Sequence, residues 1–392
     1  MKKARKTNVA RPDNLALPEY DVVLGGVVEL LEAAGGGAGE LLKEMRDSAG
    51  DSGEFYTPRA VVRFMVEVTN PQLGEKLLDP ACGTGGFLVE AYQHLGKQCK
   101  TVQDRRALQE RSIFGGEAKP LPYMLCQMNL LLHGLESPQI AKGNSLEQKL
   151  TEIKDSDRMD VILTNPPFGG EEERGIQSNF PDDKQTSETS LLFLQLIMRK
   201  LRTTPRPGQS SLTLRVGQRD SESHATTGRA GVVVPNGTLF GDGVCARIKQ
   251  ELLTRFNLHT IVRLPNGVFA PYTSIPTNLL FFDRSGPTKH VWYYEQPLPE
   301  GRKQYTKTAP LQFDDFAECL KWWPKRKENE RAWKVAASQI LENNCNLDLK
   351  NPAAKTDFEH LPPEQLADDI LQKELRIAEI MREIKELLGK TS

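Results

Sequence analysis

Apolar residues fall into short continuous runs separated by longer stretches with helical spacing. Lys76–Asp79, Ser112–Phe114, Met159–Leu163, Gly231–Val234, Thr260–Leu264 and Asn278–Asp283 read as strands, the last two closing the series. Between them Phe87–Leu95, Pro120–His133, Leu191–Leu201 and Val244–Phe256 read as helices. The helix from Pro120 carries Leu121, Met124, Leu125, Met128, Leu131 and Leu132. Pro58 opens an earlier helix at its first position, with Val61, Val62, Met65 and Val66 on one face. This alternation predicts an α/β fold: a doubly wound, mostly parallel sheet with helices on both faces. Ligands of such sheets bind beyond the carboxyl ends of the strands.

The pattern breaks in three places. Before residue 53, Val22–Leu42 is apolar but interrupted by Gly35, Gly36, Gly37 and Gly39, which predicts two short helices and a loop. Residues 202–229 are polar and rich in Ser, Thr, Gly, Pro and Arg, which predicts a flexible insertion; Arg202, Arg206, Arg215, Arg219 and Arg229 make it locally basic. Pro363–Leu388 reads as one helix stopped by Gly389. Ile370, Ile377 and Ile384 recur every seven residues there, with Ile380 and Leu387 three further on, a seam suited to another helix.

Charge then changes the picture. The 392 residues carry 51 Lys and Arg against 52 Asp and Glu, a formal charge of −1. A chain gripping nucleic acid alone would carry a basic excess, so either positive charge is concentrated locally or, the favoured reading, a partner supplies much of the grip. Cys82, Cys99, Cys126, Cys245, Cys319 and Cys345 show no C-x-x-C or metal-like spacing and read as reduced thiols of a cytoplasmic protein, with no metal site. The basic start has no apolar stretch behind it, and no run approaches a membrane span.

Two motifs at strand ends carry the chemistry. In Asp79-Pro80-Ala81-Cys82-Gly83-Thr84-Gly85-Gly86-Phe87 the glycines allow a sharp turn and close approach to a ligand. The spacing is neither G-x-G-x-x-G nor a Walker loop. Asp79 suits a cationic group, and Glu117, in Phe114-Gly115-Gly116-Glu117, suits a pair of ribose hydroxyls. Asn165-Pro166-Pro167-Phe168 follows another strand. A residue before proline is held extended, which presents Asn165 in a fixed geometry. Its side-chain oxygen and the Pro166 carbonyl offer two acceptors for an exocyclic –NH2, and Phe168 offers a face for stacking a base. Accepting both hydrogens returns the nitrogen lone pair from the ring, ready to attack a sulfonium methyl in line. A base inside a duplex reaches such a pocket only by flipping out.

With these motifs the chain resembles the modification subunits of type I restriction–modification systems, N6-adenine DNA methyltransferases. The resemblance also takes in Gly53-Glu54-Phe55-Tyr56-Thr57-Pro58-Arg59, Met128-Asn129-Leu130, Val234-Pro235-Asn236-Gly237, Leu264-Pro265-Asn266-Gly267-Val268-Phe269-Ala270 and Asn346-Leu347-Asp348-Leu349. It implies a seven-stranded, Rossmann-like sheet using S-adenosyl-L-methionine. The cofactor residues it implies are Tyr56, Thr57, Pro58, Asp79, Ala81, Gly83, Thr84, Gly85, Gly86, Phe87, Glu117 and Asn144, with Asn165, Pro166, Pro167 and Phe168 on the target adenine. It further implies double-stranded DNA as substrate and a hetero-oligomer with a DNA-specificity subunit and a restriction subunit. The expected organisation is a helical segment over 1–52, a catalytic domain over 53–350 and a helical partner-binding extension over 351–392. Two departures stand out: Asn144 occupies a position where many relatives carry Asp, and only about fifty residues precede Gly53 where relatives have a long helical domain. Protein glutamine methylation, or a silent cofactor-binding scaffold, are the alternatives. Phe55-Tyr56-Thr57-Pro58 with the long C-terminal extension argues against the first, and the intact Asn165–Phe168 turn against the second.

Overall fold

The computed structural model describes residues 57–203, 227–270, 273–353 and 371–382. One unit runs up to Asn351 and a second begins at Pro352. The first unit opens with α1 (Arg59–Thr69), β1 (Leu77–Asp79), α2 (Gly86–Gly96), α3 (Val102–Arg111), β2 (Ile113–Glu117), α4 (Pro120–Leu132) and β3 (Gln139–Lys142). It continues with β4 (Val161–Thr164), α5 (Arg174–Gln177), α6 (Thr189–Lys200), β5 (Arg229–Pro235), α7 (Asn236–Phe240) and α8 (Val244–Arg255). It closes with β6 (Asn257–Arg263), β7 (Thr277–Asp283), β8 (His290–Glu295), α9 (Ala317–Trp322), β9 (Ala332–Ala336) and α10 (Ala337–Glu342).

Among the described residues the strands form one nine-stranded sheet in the order β3-β2-β1-β4-β5-β7-β6-β8-β9. The pairs β2–β3, β1–β2, β1–β4, β4–β5 and β6–β8 are parallel, and β5–β7, β6–β7 and β8–β9 are antiparallel. The α/β class is as expected, but the sheet has nine strands rather than seven. β8 and β9 extend it beyond β6, after the helix-and-strand alternation has ended.

The runs are continuous because the strands are covered on both faces, so successive side chains feed two cores. Leu77, Val161, Leu163, Val233, Leu279 and Phe281 enter one, beside α1, α2 and α4. Leu78, Ile162, Val232, Val234, Leu280 and Phe282 enter the other, beside α6, α8 and α10. Each such side chain contributes about 1.5–3 kcal/mol by leaving water.

Several local expectations shift. Pro58 is the residue before α1, not its first position: its ψ of 132° is extended, and the helix begins at Arg59. On α4 the buried face is Pro122, Leu125, Cys126, Asn129 and Leu130. Met124, Leu131 and Leu132, also among the apolar residues of this helix, are exposed. β2 extends to Glu117, placing that carboxylate on the strand itself.

The N-terminal ends of the strands are closed by ion pairs. Arg229 donates from Nη1 and Nη2 to Glu75 at 2.8 Å and from Nε to the Thr69 carbonyl at 2.7 Å, and Arg202 Nε meets Asp160 at 2.6 Å. Two of the arginines that made 202–229 basic are therefore structural, and Arg229 belongs to β5. Residues 204–226, with Arg206, Arg215 and Arg219, lie outside the described residues, as does the expected 1–52 segment. The Asn346–Leu349 motif straps the sheet: Arg263 bonds Asp348 at 2.6 Å, and the Tyr293 hydroxyl donates to the Leu347 carbonyl at 3.1 Å.

In the second unit residues 371–382 are helical, with Leu371, Leu375, Ile377, Ile380 and Met381 exposed. Ile370, Ile384 and Leu387 lie outside the described residues. Among those described, no helix is long and apolar enough to cross a membrane, no metal-holding group of side chains occurs, and all six cysteines are free.

Glu75 is 1% exposed, so removing its partner strands a buried carboxylate. Arg229→Met is expected to lower stability by about 3–5 kcal/mol, read as a lower urea midpoint at pH 7. A midpoint unchanged within error would show that the pair does not hold β5 to the β1 entry.

Candidate active site

β1 lies where the strand order reverses, with β2 and β3 on one side and β4 and β5 on the other. A crevice opens at such a point beyond the carboxyl ends of the strands. Three turns meet there. The turn after β1 ends at Gly85, the N-cap of α2, whose φ is +87°. A Cβ there would lie 2.8 Å from Cys126 Sγ, so backbone angle and space both require glycine. The turn is tied to β2 because Gly83 N–H donates to Glu117 Oε2 at 2.9 Å and Cys82 N–H to the Gly116 carbonyl at 3.0 Å. Glu117 Oε1 accepts from Lys119 N–H at 2.8 Å. The loop after β3 joins through the Ser145 hydroxyl, which donates to the Pro80 carbonyl at 2.6 Å. A Cβ on Gly116 would lie 2.5 Å from that hydroxyl oxygen, which makes the second glycine of β2 a requirement of this junction.

Asp79, at the end of β1, is 2% exposed and accepts from Ala81 N–H at 3.1 Å. Burial pushes its carboxyl up to about 7; the nearby Thr164 side chain and the Ala81 N–H oppose that, and the Glu117 charge adds to it. Two acids at adjoining strand ends create a field that a cation would relieve.

Asn165 follows β4. Its Nδ2 donates to Thr57 Oγ1 at 3.0 Å, while its Oδ1 is buried without a hydrogen-bond partner among the described residues. An orphaned buried acceptor costs about 1–3 kcal/mol; of the seven such side-chain atoms among the described residues, this one belongs to a residue of the strand-end crevice. Phe168, 6% exposed, packs into the core, its ring 6.4 Å from that of Phe269 and edge-on to it.

A cavity of about 240 Å³ opens between these turns. Of the residues the sequence singled out, Ala81, Glu117, Asn144, Asn165 and Pro167 line it. Asp79, Gly83, Thr84, Gly85, Phe87, Pro58, Pro166 and Phe168 are buried around it, and Gly86 and Thr57 are partly buried; none of them lines it. Thr57 sits on the Asn165 amide, and the Thr84 carbonyl accepts from Asn129 Nδ2 at 2.9 Å. Tyr56 lies outside the described residues. Lys119, Glu172, Thr189 and Phe193 also line the cavity and were not anticipated. The run Glu171-Glu172-Glu173, directly after Phe168-Gly169-Gly170, is the sequence signal that would have drawn attention to Glu172.

The model of the N-6 DNA methylase family matches residues 39–212 and 218–360. The chain is 47% identical over 359 residues to the methylase subunit of the type I restriction enzyme EcoEI from Escherichia coli, covering 89% of this chain and 68% of that subunit. Among solved structures it is similar to a modification subunit of a putative type I restriction enzyme from Vibrio vulnificus YJ016, with a TM-score of 0.72 and 61% identity over 88% of this chain and 68% of the other. It is also similar to a chain from a structural study of complex assembly and conformational transition in the type I restriction–modification system (TM-score 0.69, 41% identity, 94% and 72% covered). A buried amide acceptor beside an acidic strand-end crevice thus occurs in a chain that belongs to the N-6 DNA methylase family, among the methylase subunits of type I restriction enzymes.

Proposed function

We propose that the chain transfers a methyl group from S-adenosyl-L-methionine to N6 of an adenine flipped out of double-stranded DNA. The observation that carries this is Asn165 Oδ1: buried, without a partner among the described residues, and directed by the bond from Nδ2 to Thr57. When bound, S-adenosyl-L-methionine supplies an electrophilic methyl on a sulfonium. The residues present fit that group. The Glu117 carboxylate, which accepts from two backbone N–H groups, borders the cavity where a ribose would bring its two hydroxyls. Asp79 and Glu117 together favour a cation, as the methionine amine and the sulfonium both are. Asn144 borders the cavity where the nucleobase would lie.

Asn165 Oδ1 and the Pro166 carbonyl accept the two hydrogens of the adenine amino group. That draws the nitrogen lone pair out of the ring and aims it at the methyl carbon. Bound there, S-adenosyl-L-methionine would supply the methyl for a new C–N bond at that nitrogen as its own C–S bond broke, and the surplus amino proton would pass to water. No strong base is needed first. Phe168 is 6% exposed and packs against Phe269, so a flipped base stacks on it only once a face of the ring is uncovered. Flipping costs a few kcal/mol, offset by these contacts.

The near-neutral charge and the exposed apolar residues of 371–382 support assembly with a DNA-specificity subunit and a restriction subunit, and a cytoplasmic location goes with that reading. A sequence-reading partner would then supply most of the phosphate contacts.

Asn165→Ala is expected to slow methyl transfer by about 10²–10³-fold while changing S-adenosyl-L-methionine affinity little, measured by tritiated methyl transfer and calorimetry. Retained transfer would remove Asn165 from its role. Phe168→Ala is a poorer test, because emptying that buried site costs about 3–5 kcal/mol of stability.

Asp79 must be ionised to pair with the methionine amine. With its carboxyl near 7, the competent fraction rises as pH increases, so affinity should tighten about tenfold between pH 6 and pH 8. Asp79→Asn should flatten that dependence. The same raised value makes the buried acid a stabilising feature at low pH, fully so below its unfolded value of 3.8, and that contribution fades as pH climbs through about 7. A pH-independent affinity in the unaltered protein would contradict the Asp79 assignment.

A further inference from the structure

Asn144 does not hang loosely in the cavity wall. Its Nδ2 donates to Glu172 Oε2 at 3.1 Å, and its Oδ1 accepts from Leu146 N–H at 3.0 Å. The other Glu172 oxygen accepts from the Thr189 hydroxyl at 3.3 Å. The loop carrying Glu172 is itself pinned: Glu172 N–H donates to the Ser187 carbonyl at 2.8 Å, and Thr189 N–H to the Gly170 carbonyl at 3.0 Å. A Cβ on Gly170 would lie 2.8 Å from Thr189 Oγ1, which shows how closely the two segments approach. Asn144, Glu172, Thr189 and Gly170 all border the same cavity as Glu117.

The two ends of an asparagine amide are almost the same shape but opposite in hydrogen-bonding sense. A carboxylate only accepts and a backbone N–H only donates, so Glu172 and Leu146 impose one orientation: nitrogen toward Glu172, oxygen toward Leu146. The oxygen keeps a second lone pair. It can accept from an exocyclic amine but meets a ring carbonyl as a repulsive acceptor. Opposite a 6-oxo group the Asn144 oxygen faces a second acceptor with no hydrogen between them, which disfavours that analogue relative to the 6-amino form.

Resting on the reading of this cavity as an adenosine site, we propose that Glu172 is a positioning residue. It fixes the Asn144 amide with its oxygen as acceptor, so that the site selects a 6-amino purine nucleoside over its 6-oxo counterpart. Asn144 then does the work of a carboxylate at this position, with the orienting negative charge supplied from the next loop.

The test is calorimetric titration of the full chain with S-adenosylhomocysteine and with S-inosylhomocysteine, its 6-oxo analogue. The unaltered protein should prefer the amino form by about tenfold or more. Glu172→Ala and Glu172→Met, which remove the acceptor with different bulk, should narrow that preference at least about threefold. Glu172→Gln, whose carbonyl still accepts from Asn144, should keep most of it. In an Asn144→Asp background, where both ends of the side chain accept, removing Glu172 should no longer narrow the preference. Full preference in a folded Glu172→Ala or Glu172→Met variant overturns the proposal. So does a loss that persists in the Asn144→Asp background, since Glu172 would then touch the base itself. Unaltered protein that binds neither compound, or both equally, overturns the adenosine-site reading and the proposal with it.

Discussion

The Glu117 carboxylate stands at the end of β2 and accepts two backbone N–H groups, from Gly83 in the turn after β1 and from Lys119 in the turn after β2. Those donors belong to turns that neither helix nor sheet satisfies, and unpaired buried amides are costly. One side chain therefore holds two turns in register across the reversal of strand order. The Ser145 hydroxyl on the Pro80 carbonyl brings in the third. The arrangement needs no Cβ at Gly116 and a left-handed Gly85, so the chemistry of the crevice and its backbone geometry are parts of one solution.

The arrangement is held at an electrostatic cost. Asp79 lies beside Glu117, and burial carries its carboxyl to about 7. Such a pair gains most from a ligand that brings positive charge to the strand ends. The far end of the sheet is arranged in the opposite sense. Arg202 and Arg229 neutralise Asp160 and Glu75, and the two cores fed by alternate strand residues keep the scaffold rigid between the ends. The orphaned oxygen of Asn165 can persist because that scaffold leaves its side chain little freedom to turn elsewhere.

Much of this was written plainly in the chain. Two-sided burial makes strands into continuous apolar runs, so β1, β4, β5, β6 and β7 were found within a few residues. The glycine turn and Asn165–Phe168 announced themselves by residues whose backbone constraints are specific. β3 escaped because it is an edge strand with Ile140 as its single buried residue. α3 escaped because only Leu108 is buried, although its Thr101 and Asp104 form a capping box that marks its start. β8 and β9 extend the sheet past the point where alternation could guide the eye. On α4 the apolar residues cover most of the circumference, so periodicity could not choose the buried face. The Glu172 partner of Asn144 and the side-chain partners of Arg202 and Arg229 are set by tertiary approach over 28 to 160 residues of sequence, which no local pattern encodes.

The strand-end crevice is proposed as the seat of an adenosine-bearing methyl donor, within reach of the Asn165 oxygen. The most direct measurement is a crystal structure of the chain with S-adenosylhomocysteine. The ribose hydroxyls should be found on the Glu117 carboxylate, the adenine amino group on Asn144 Oδ1, and the sulfur facing Asn165 across room for one methyl group. Density for the nucleoside anywhere other than the crevice between β1, β2 and β4, or with its ribose away from Glu117, would contradict the account.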